Sequence, residues 1–130
     1  MINVYETAKE IDVNKDFKDK NKTGRIVLAN AFSVNMLKAD GYLFFAKIDL
    51  PIVKYLISES KDFLSVIGHQ STANLLSAKL GIDVEVNRIN YIKQHYDQII
   101  VCLPTQRLEE GKILSLEELN KIDVKFRLVK

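Results

Sequence analysis

Residues 25–32, RIVLANAF, decide the fold that this sequence predicts. The run from Ile26 to Ala29 is aliphatic and β-branched without polar alternation, which is typical of a strand buried on both faces of a sheet. Small polar side chains follow at once, at Asn30, Ser33 and Asn35. Because α/β folds bind ligands at the carboxyl ends of their strands, we expect these three residues to lie at a ligand site.

Other strands are predicted on both sides of this first one. Their patterns fall at residues 42–48, 85–92, 98–103 and 124–129. The polar connection at 93–97 favours a hairpin between the second and third of these segments, and the last alternates apolar and basic residues as a strand with one wet face does. Residues 63–67 form a short apolar segment. We therefore predict a sheet of about five strands.

Three segments carry the signals of helix ends. An aspartate followed two residues later by a proline starts the first helix at position 49, and it should run to about residue 58. Gly81 ends the second helix, which begins beside His69. The third opens on a Ser-x-x-Glu capping box at 115–118. The predicted fold class is α/β, in a single domain.

Composition limits the classes of function. The chain has 130 residues, 47% hydrophobic and 28% charged, as expected of one packed domain. Its 19 Lys and Arg against 17 Asp and Glu leave a net charge of +2, too small for a general binder of duplex nucleic acid or membranes. The single Cys102 suits a reducing compartment, and no apolar run approaches the roughly 18 residues that span a bilayer. We expect a cytoplasmic protein with no membrane partner.

Residues 1–24 differ in character from the rest of the chain. Lysines, aspartates and glutamates crowd this stretch, and large apolar groups are few. A segment of that composition buries little surface. We therefore predict a charged, flexible N-terminal extension at 1–24 and a folded domain at 25–130.

The segment from Gly68 to Thr72 is a candidate site for an anion. The imidazole of His69, the hydroxyls of Ser71 and Thr72, and the N–H groups of a helix start could converge there. An imidazole also gains or loses a proton near neutral pH, so it can act as a general acid or base. The alternative is that His69 only caps the helix.

The loop at 105–112 is a second charged candidate. It holds Arg107, whose planar guanidinium can clamp a phosphate, together with two glutamates, a lysine and Gly111. A glycine there could serve as the hinge of a lid. The alternative is an ordinary solvated loop.

No motif points to a metal or a cofactor. The chain has no His-x-x-x-His pair, no Cys-x-x-Cys, no EF-hand loop, no GxGxxG and no Walker A sequence. We expect neither a metal nor an organic cofactor.

Four segments in a fixed order resemble the viral ring nuclease family of anti-CRISPR proteins. They are LANAFSVNML at 28–37, IGHQST at 67–72, NR at 87–88 and QRLEEGKILSLEEL at 106–119. The resemblance spans approximately residues 25–130, and four segments in the same order are more specific than any one motif. It implies a mixed β-sheet flanked by helices. The resemblance implies an enzyme that destroys cyclic tetra-adenylate, the second messenger of type III CRISPR complexes. It also implies a homodimer that binds one messenger across its interface.

The resemblance implies roles for individual residues. His69, within an intact GHxST motif, matches the family's catalytic histidine, and Arg107 and Glu110 match the arginine and glutamate of QRLEEG. The implied substrate-binding residues are Asn30, Ser33, Asn35, Ser71, Thr72, Arg88 and Gln106. Leu103 departs from the pattern, because some relatives carry a glutamine there, which puts one hydrogen bond to the ligand in doubt.

The implied reaction needs no metal. A ribose 2′-OH attacks its own phosphorus, and protonated His69 gives a proton to the departing 5′-oxygen, a role worth about 10² to 10⁴ in rate. Arg107 and the helix start stabilise the phosphoryl charge, and Glu110 orients His69 or keeps it protonated. Two such sites in a twofold dimer would yield linear di-adenylates. The alternatives are a sponge that binds the messenger without cutting it and a small DNA-binding protein.

Overall fold

The computed structural model describes residues 24–109 and 111–130. Within these ranges the chain forms five strands and three α-helices. In chain order they are β1 (Arg25–Ala29), β2 (Phe45–Ile48), α1 (Leu50–Glu59), β3 (Asp62–Ser65), α2 (Gln70–Leu80), β4 (Asp97–Pro104), α3 (Leu116–Lys121) and β5 (Val124–Val129). The predicted extension at 1–24 lies outside the described residues apart from Gly24, which is buried.

The strands form one mixed sheet in the order β2-β5-β4-β1-β3. β1 runs parallel to β3 and to β4, whereas β5 is antiparallel to both β4 and β2. It follows that β1, β2, β3 and β4 point the same way and that their carboxyl ends meet at one edge. We call this the carboxyl edge; the residues that follow the four strands there are Asn30, Asp49, Val66 and Thr105.

The core confirms the prediction for β1. Ile26, Val27 and Leu28 are fully buried although successive side chains point to opposite faces of the sheet. One face packs against α1 and α2, and the other is covered by the irregular segments around Met36 and Tyr91. Burial on both faces explains why this strand lacks polar alternation.

The helix-end signals are also confirmed. Asp49 caps α1 by accepting a hydrogen bond from the backbone N–H of Ile52 at 3.1 Å. Gly81 ends α2 with a φ of 69°, a left-handed conformation that costs glycine little. Ser115 and Glu118 form both hydrogen bonds of the predicted capping box.

The predicted strand at 85–92 and its hairpin are wrong. This segment makes a single isolated bridge, between Ile67 and Val86, and is otherwise irregular. Its backbone bonds go to β3 and the residues just after it, because the carbonyl of Glu85 accepts from Ser65 Oγ at 2.7 Å and the N–H of Asn87 donates to the carbonyl of Ile67 at 2.9 Å. The remaining strand is β3, which covers part of the apolar segment noted at 63–67.

A buried carboxylate ties together the amino ends of β1 and β4. Asp97, 1% exposed, accepts two hydrogen bonds of 2.8 Å from the guanidinium of Arg25, one from Tyr91 Oη and one from the backbone N–H of Gln94. Burial works against ionisation of this carboxyl, but the hydrogen bonds outweigh it and hold its pKa below the usual range. The same contacts raise the pKa of the Arg25 guanidinium.

We expect Asp97→Asn to lower the free energy of unfolding at pH 7 by about 3 kcal/mol, because Arg25 would lose its buried charge partner. A carboxyl whose folded pKa is depressed contributes stability above its unfolded pKa and loses it as the pH falls through the folded pKa. The difference from wild type should therefore shrink as the pH drops below about 4.

Urea unfolding at pH 7 and at pH 3 measures this difference, with the exposed Asp83 changed to Asn as the control. If Asp97→Asn lowered the free energy of unfolding equally at both pH values, the proposed role of the carboxylate would be contradicted.

Candidate functional site at the carboxyl edge

His69 is exposed at the carboxyl edge, where the chain passes from β3 into α2. It occupies the N-cap position, but its side chain accepts no hydrogen bond from the helix. A residue whose only role is to cap would accept one from the first turn, as Asp49 does. The imidazole therefore stands beside a helix start without capping it.

The N–H and the C=O of Gly68, the residue before His69, are both hydrogen-bonded to side chains from distant segments. Asn30 Oδ1 accepts from the N–H of Gly68 at 3.1 Å, and Arg88 Nε donates to the carbonyl of Gly68 at 2.5 Å. Asn30 follows β1, whereas Arg88 belongs to the irregular segment before β4. The two hydrogen bonds fix the position of the backbone directly before His69.

A polar cavity of about 180 Å³ lies on one side of this segment. We call it the Ser71 cavity; its polar and charged lining residues are Ser71, Asn74, Gln106, Arg107, Glu109 and Lys112. Ser71 Oγ donates to the carbonyl of Glu109 at 2.8 Å, which joins the first turn of α2 to the loop after β4. Two cations thus line the same cavity as a helix N-terminus, an arrangement suited to an anion.

A second cavity of about 280 Å³ lies beside the end of β1. We call it the Asn30 cavity; it is lined by Ala29, Asn30, Ala31, Ser33, Asn35, Met36, Val66, Ile89, Asn90 and Tyr91. Asn30 lines this cavity and contacts Gly68, whereas Ser71 lines the other cavity. The segment that carries His69 therefore connects the two cavities.

Several predicted site residues meet here, and others do not. Asn30, Ser33 and Asn35 share one cavity, and Ser71, Gln106 and Arg107 share the other. Thr72 lies on the first turn of α2 but is only 7% exposed. Leu103, near the end of β4, is 38% exposed. Glu110 lies outside the described residues.

Asn74, Ile89 and Asn90 also line the two cavities, although they were not predicted from the sequence. Asn74 lies one turn after Gln70 on α2, so helical spacing could have indicated it. Ile89 and Asn90 follow no strand, and no local signal marks them.

Residues 24–109 and 111–130 contain neither a cluster of metal-ligating side chains nor a membrane-spanning helix. No three His, Cys, Asp or Glu side chains lie where they could hold a metal ion. No helix in this part of the chain is long and apolar enough to cross a membrane.

We expect Ser71→Ala to loosen the loop after β4, because its hydroxyl holds the carbonyl of Glu109. Loss of one such hydrogen bond, worth about 1 kcal/mol, should speed amide exchange at 106–109 by about fivefold. Hydrogen exchange followed by mass spectrometry measures the rate. Ser58→Ala is the matched control, since its hydroxyl bonds the carbonyl of Tyr55 within α1. Unchanged exchange at 106–109 in Ser71→Ala would show that the hydrogen bond from Ser71 to Glu109 does not hold this loop.

The fold and this edge define a small α/β protein with a polar candidate ligand site. A sequence profile described as STIV B116-like matches residues 26–126, so the chain belongs to the STIV B116-like family. The solved structure of B116 of Sulfolobus turreted icosahedral virus is similar, with a TM-score of 0.68 and 33% identity. The matched region covers 82% of this chain and 98% of the B116 chain, and the similarity confirms the predicted fold class.

Relatives occur in viruses of archaea and in a bacterium. Uncharacterized protein ORF116 of Acidianus filamentous virus 1 is 39% identical over 98 residues, which are 73% of this chain and 82% of that protein. Uncharacterized protein YddF of Bacillus subtilis is 32% identical over 95 residues, which are 72% of this chain and 88% of the length of YddF.

Proposed function

We propose that this chain is a metal-independent ring nuclease that opens cyclic tetra-adenylate and so suppresses type III CRISPR immunity. The observation that carries the proposal is the exposed His69, whose side chain does not cap α2 and whose segment runs from Gly68, bonded to Asn30 of one cavity, to Ser71, which lines the other. The four-segment resemblance to viral ring nucleases supports the same reaction. The reaction belongs in the cytoplasm of the host cell, where the messenger is made.

The chemistry follows from the ligand's own groups. In each 3′-5′ linkage the ribose 2′-oxygen attacks the neighbouring phosphorus, its proton passes to water, and the bond from phosphorus to the 5′-oxygen breaks. His69 gives a proton to that 5′-oxygen, which leaves as a hydroxyl. The other product end is a 2′,3′-cyclic phosphate. No electron acceptor or metal enters this balance.

The Ser71 cavity supplies the positive charge that the reaction needs. Arg107 and Lys112 line it, and the first turn of α2 adds N–H groups that lack intrahelical partners. These groups stabilise the charge that gathers on the non-bridging phosphoryl oxygens. Glu110 remains the predicted residue that orients His69.

A second copy of the chain completes the proposal. One site cuts one linkage, so two sites related by a twofold axis face opposite linkages of a four-nucleotide ring. Two cuts release two linear di-adenylates. The proposed partners are therefore the messenger and a second identical chain.

We expect purified protein to convert labelled cyclic tetra-adenylate to di-adenylate in the presence of EDTA. His69→Ala should be slower by about 10² to 10⁴. His95→Ala is the matched control: this histidine is also exposed but lies before β4, at the opposite edge of the sheet, edge-on to Tyr96. It should cleave like wild type. Chromatography resolves ring from product.

Other outcomes of this assay have definite meanings. An intact ring that is bound tightly by wild type would make the protein a sponge. An intact ring with no binding would reject the proposal altogether, and steeply salt-dependent binding of duplex DNA would then favour a DNA-binding role. Equal cleavage by His69→Ala would remove His69 from the mechanism.

A further inference from the structure

A further cavity, of about 400 Å³, lies at the edge of the sheet opposite His69. Its walls come from residues 37–43, which precede β2, and residues 93–95, which precede β4. Because β2 and β4 run the same way, these walls lie at the amino ends of both strands. We call it the Tyr42 cavity. None of its described lining residues belongs to the Ser71 or Asn30 cavity, and the eight residues of β4 span about 25 Å between the two edges.

Lys93 is a partly buried cation in the wall of this cavity. Its ammonium donates to the carbonyl of Gln94 at 3.3 Å and forms no ion pair within the described part of the chain. Asp97 interacts with it electrostatically, but both oxygens of that carboxylate already accept from Arg25. Burial lowers the pKa of Lys93, because a charged ammonium is poorly solvated there. An anion in the cavity would supply the missing counter-charge.

Lys38 brings a second ammonium to the cavity from the other wall. Its Nζ donates to the side-chain oxygen of Gln94, and this hydrogen bond joins the two walls. A lysine carries three N–H donors, so this bond leaves two of them for a ligand. His95 also lines the cavity, whereas Asp40 is the one acid among its described lining residues. With His95 neutral, the walls carry a net positive charge.

Apolar side chains supply much of the rest of the cavity wall. Leu37, Ala39 and Leu43 line it, and Leu43 packs against the core cluster that contains Val27. Tyr42 is 67% exposed, so its ring is available to a ligand. Apolar surface beside a few polar groups is the usual lining of a small-molecule site. A ligand that fits this cavity needs an anionic group for the lysines and a flat apolar body for these walls.

We propose that the Tyr42 cavity binds a small aromatic phosphate monoester, with its phosphate at Lys38 and Lys93 and its ring beside Tyr42 and Leu43. A phosphate monoester carries about −1.5 to −2 charge at pH 7, which matches two ammonium groups better than the single charge of a carboxylate does. Lysine binds phosphate as a point charge, without the fixed geometry that arginine requires. The proposal does not depend on the nuclease reaction, because the cavity is lined by none of the residues assigned to that reaction.

The test is an NMR titration of the full-length protein, labelled with ¹⁵N and with ¹³C methyl groups, with phenyl phosphate. We expect saturable shifts at the methyls of Leu37 and Leu43 and at the backbone amide of Lys93. Three probes serve as comparisons: benzyl alcohol lacks the charge, inorganic phosphate lacks the ring, and benzoate carries a single charge. Each should bind about tenfold more weakly or worse. Shifts confined to the Ser71 cavity, no saturable shifts, or equal affinity for any of the three probes would overturn the inference.

Variants of one lysine locate the phosphate. Lys93→Gln should weaken the binding of phenyl phosphate by about tenfold, and Lys93→Arg, which keeps the charge, should restore most of it. Lys54→Gln is the matched control and should bind like wild type, because this exposed lysine lies on α1 and not in the cavity wall. Unchanged binding by a folded Lys93→Gln would reject the assignment. Because only binding is measured, this result stands apart from whether the ring is cleaved in the nuclease assay.

Discussion

The parallel pairing of β1 with both of its neighbours is the constraint on which the site depends. Arg25 is in register with Asp62 of β3 and with Asp97 of β4, so the three strands start together and run the same way. The chain segments that follow them are far apart in sequence but must meet at one edge. That edge holds Asn30, His69 and Arg107, and no local feature of the chain could bring them together.

The polar groups at the two edges of the sheet differ in burial and in their hydrogen-bond partners. At the amino edge the carboxylate of Asp97 is buried and its oxygens are taken by Arg25, Tyr91 and Gln94. At the carboxyl edge polar side chains remain exposed, and the main-chain N–H and C=O of Gly68 are hydrogen-bonded to Asn30 and Arg88. Stability and ligand chemistry are thus separated along the strands, which allows the exposed edge to be polar without weakening the core.

Much of this fold could be predicted from local patterns. Asp49, Gly81 and Ser115 act through hydrogen bonds or backbone angles within a few residues, so the sequence alone indicates them. The segment at 85–92 was wrongly predicted as a strand of a hairpin, whereas the backbone of Glu85 and Asn87 bonds to Ser65 and Ile67, which lie elsewhere in the chain. A pattern cannot show a partner that only the folded chain supplies.

The same distinction applies to the site. Polar residues after β1 and beside α2 were predicted because strand ends and helix starts have recognisable positions. The hydrogen bonds from Gly68 to Asn30 and Arg88 join three separate segments, so they could not be predicted from the sequence. Asn90 shows its relevance only through the cavity it lines. The comparisons establish the family and the fold, and the proposed reaction rests on the geometry around His69 and on the motif resemblance.

A crystal structure with a ring that cannot be cut tests the central claim most directly. Cyclic tetra-adenylate methylated on every 2′-oxygen lacks the attacking hydroxyl but keeps its phosphates and bases. The account requires this ring at the carboxyl edge of two chains, with one bridging phosphate beside each His69. A ring bound away from the segment between Gly68 and Ser71 would contradict it.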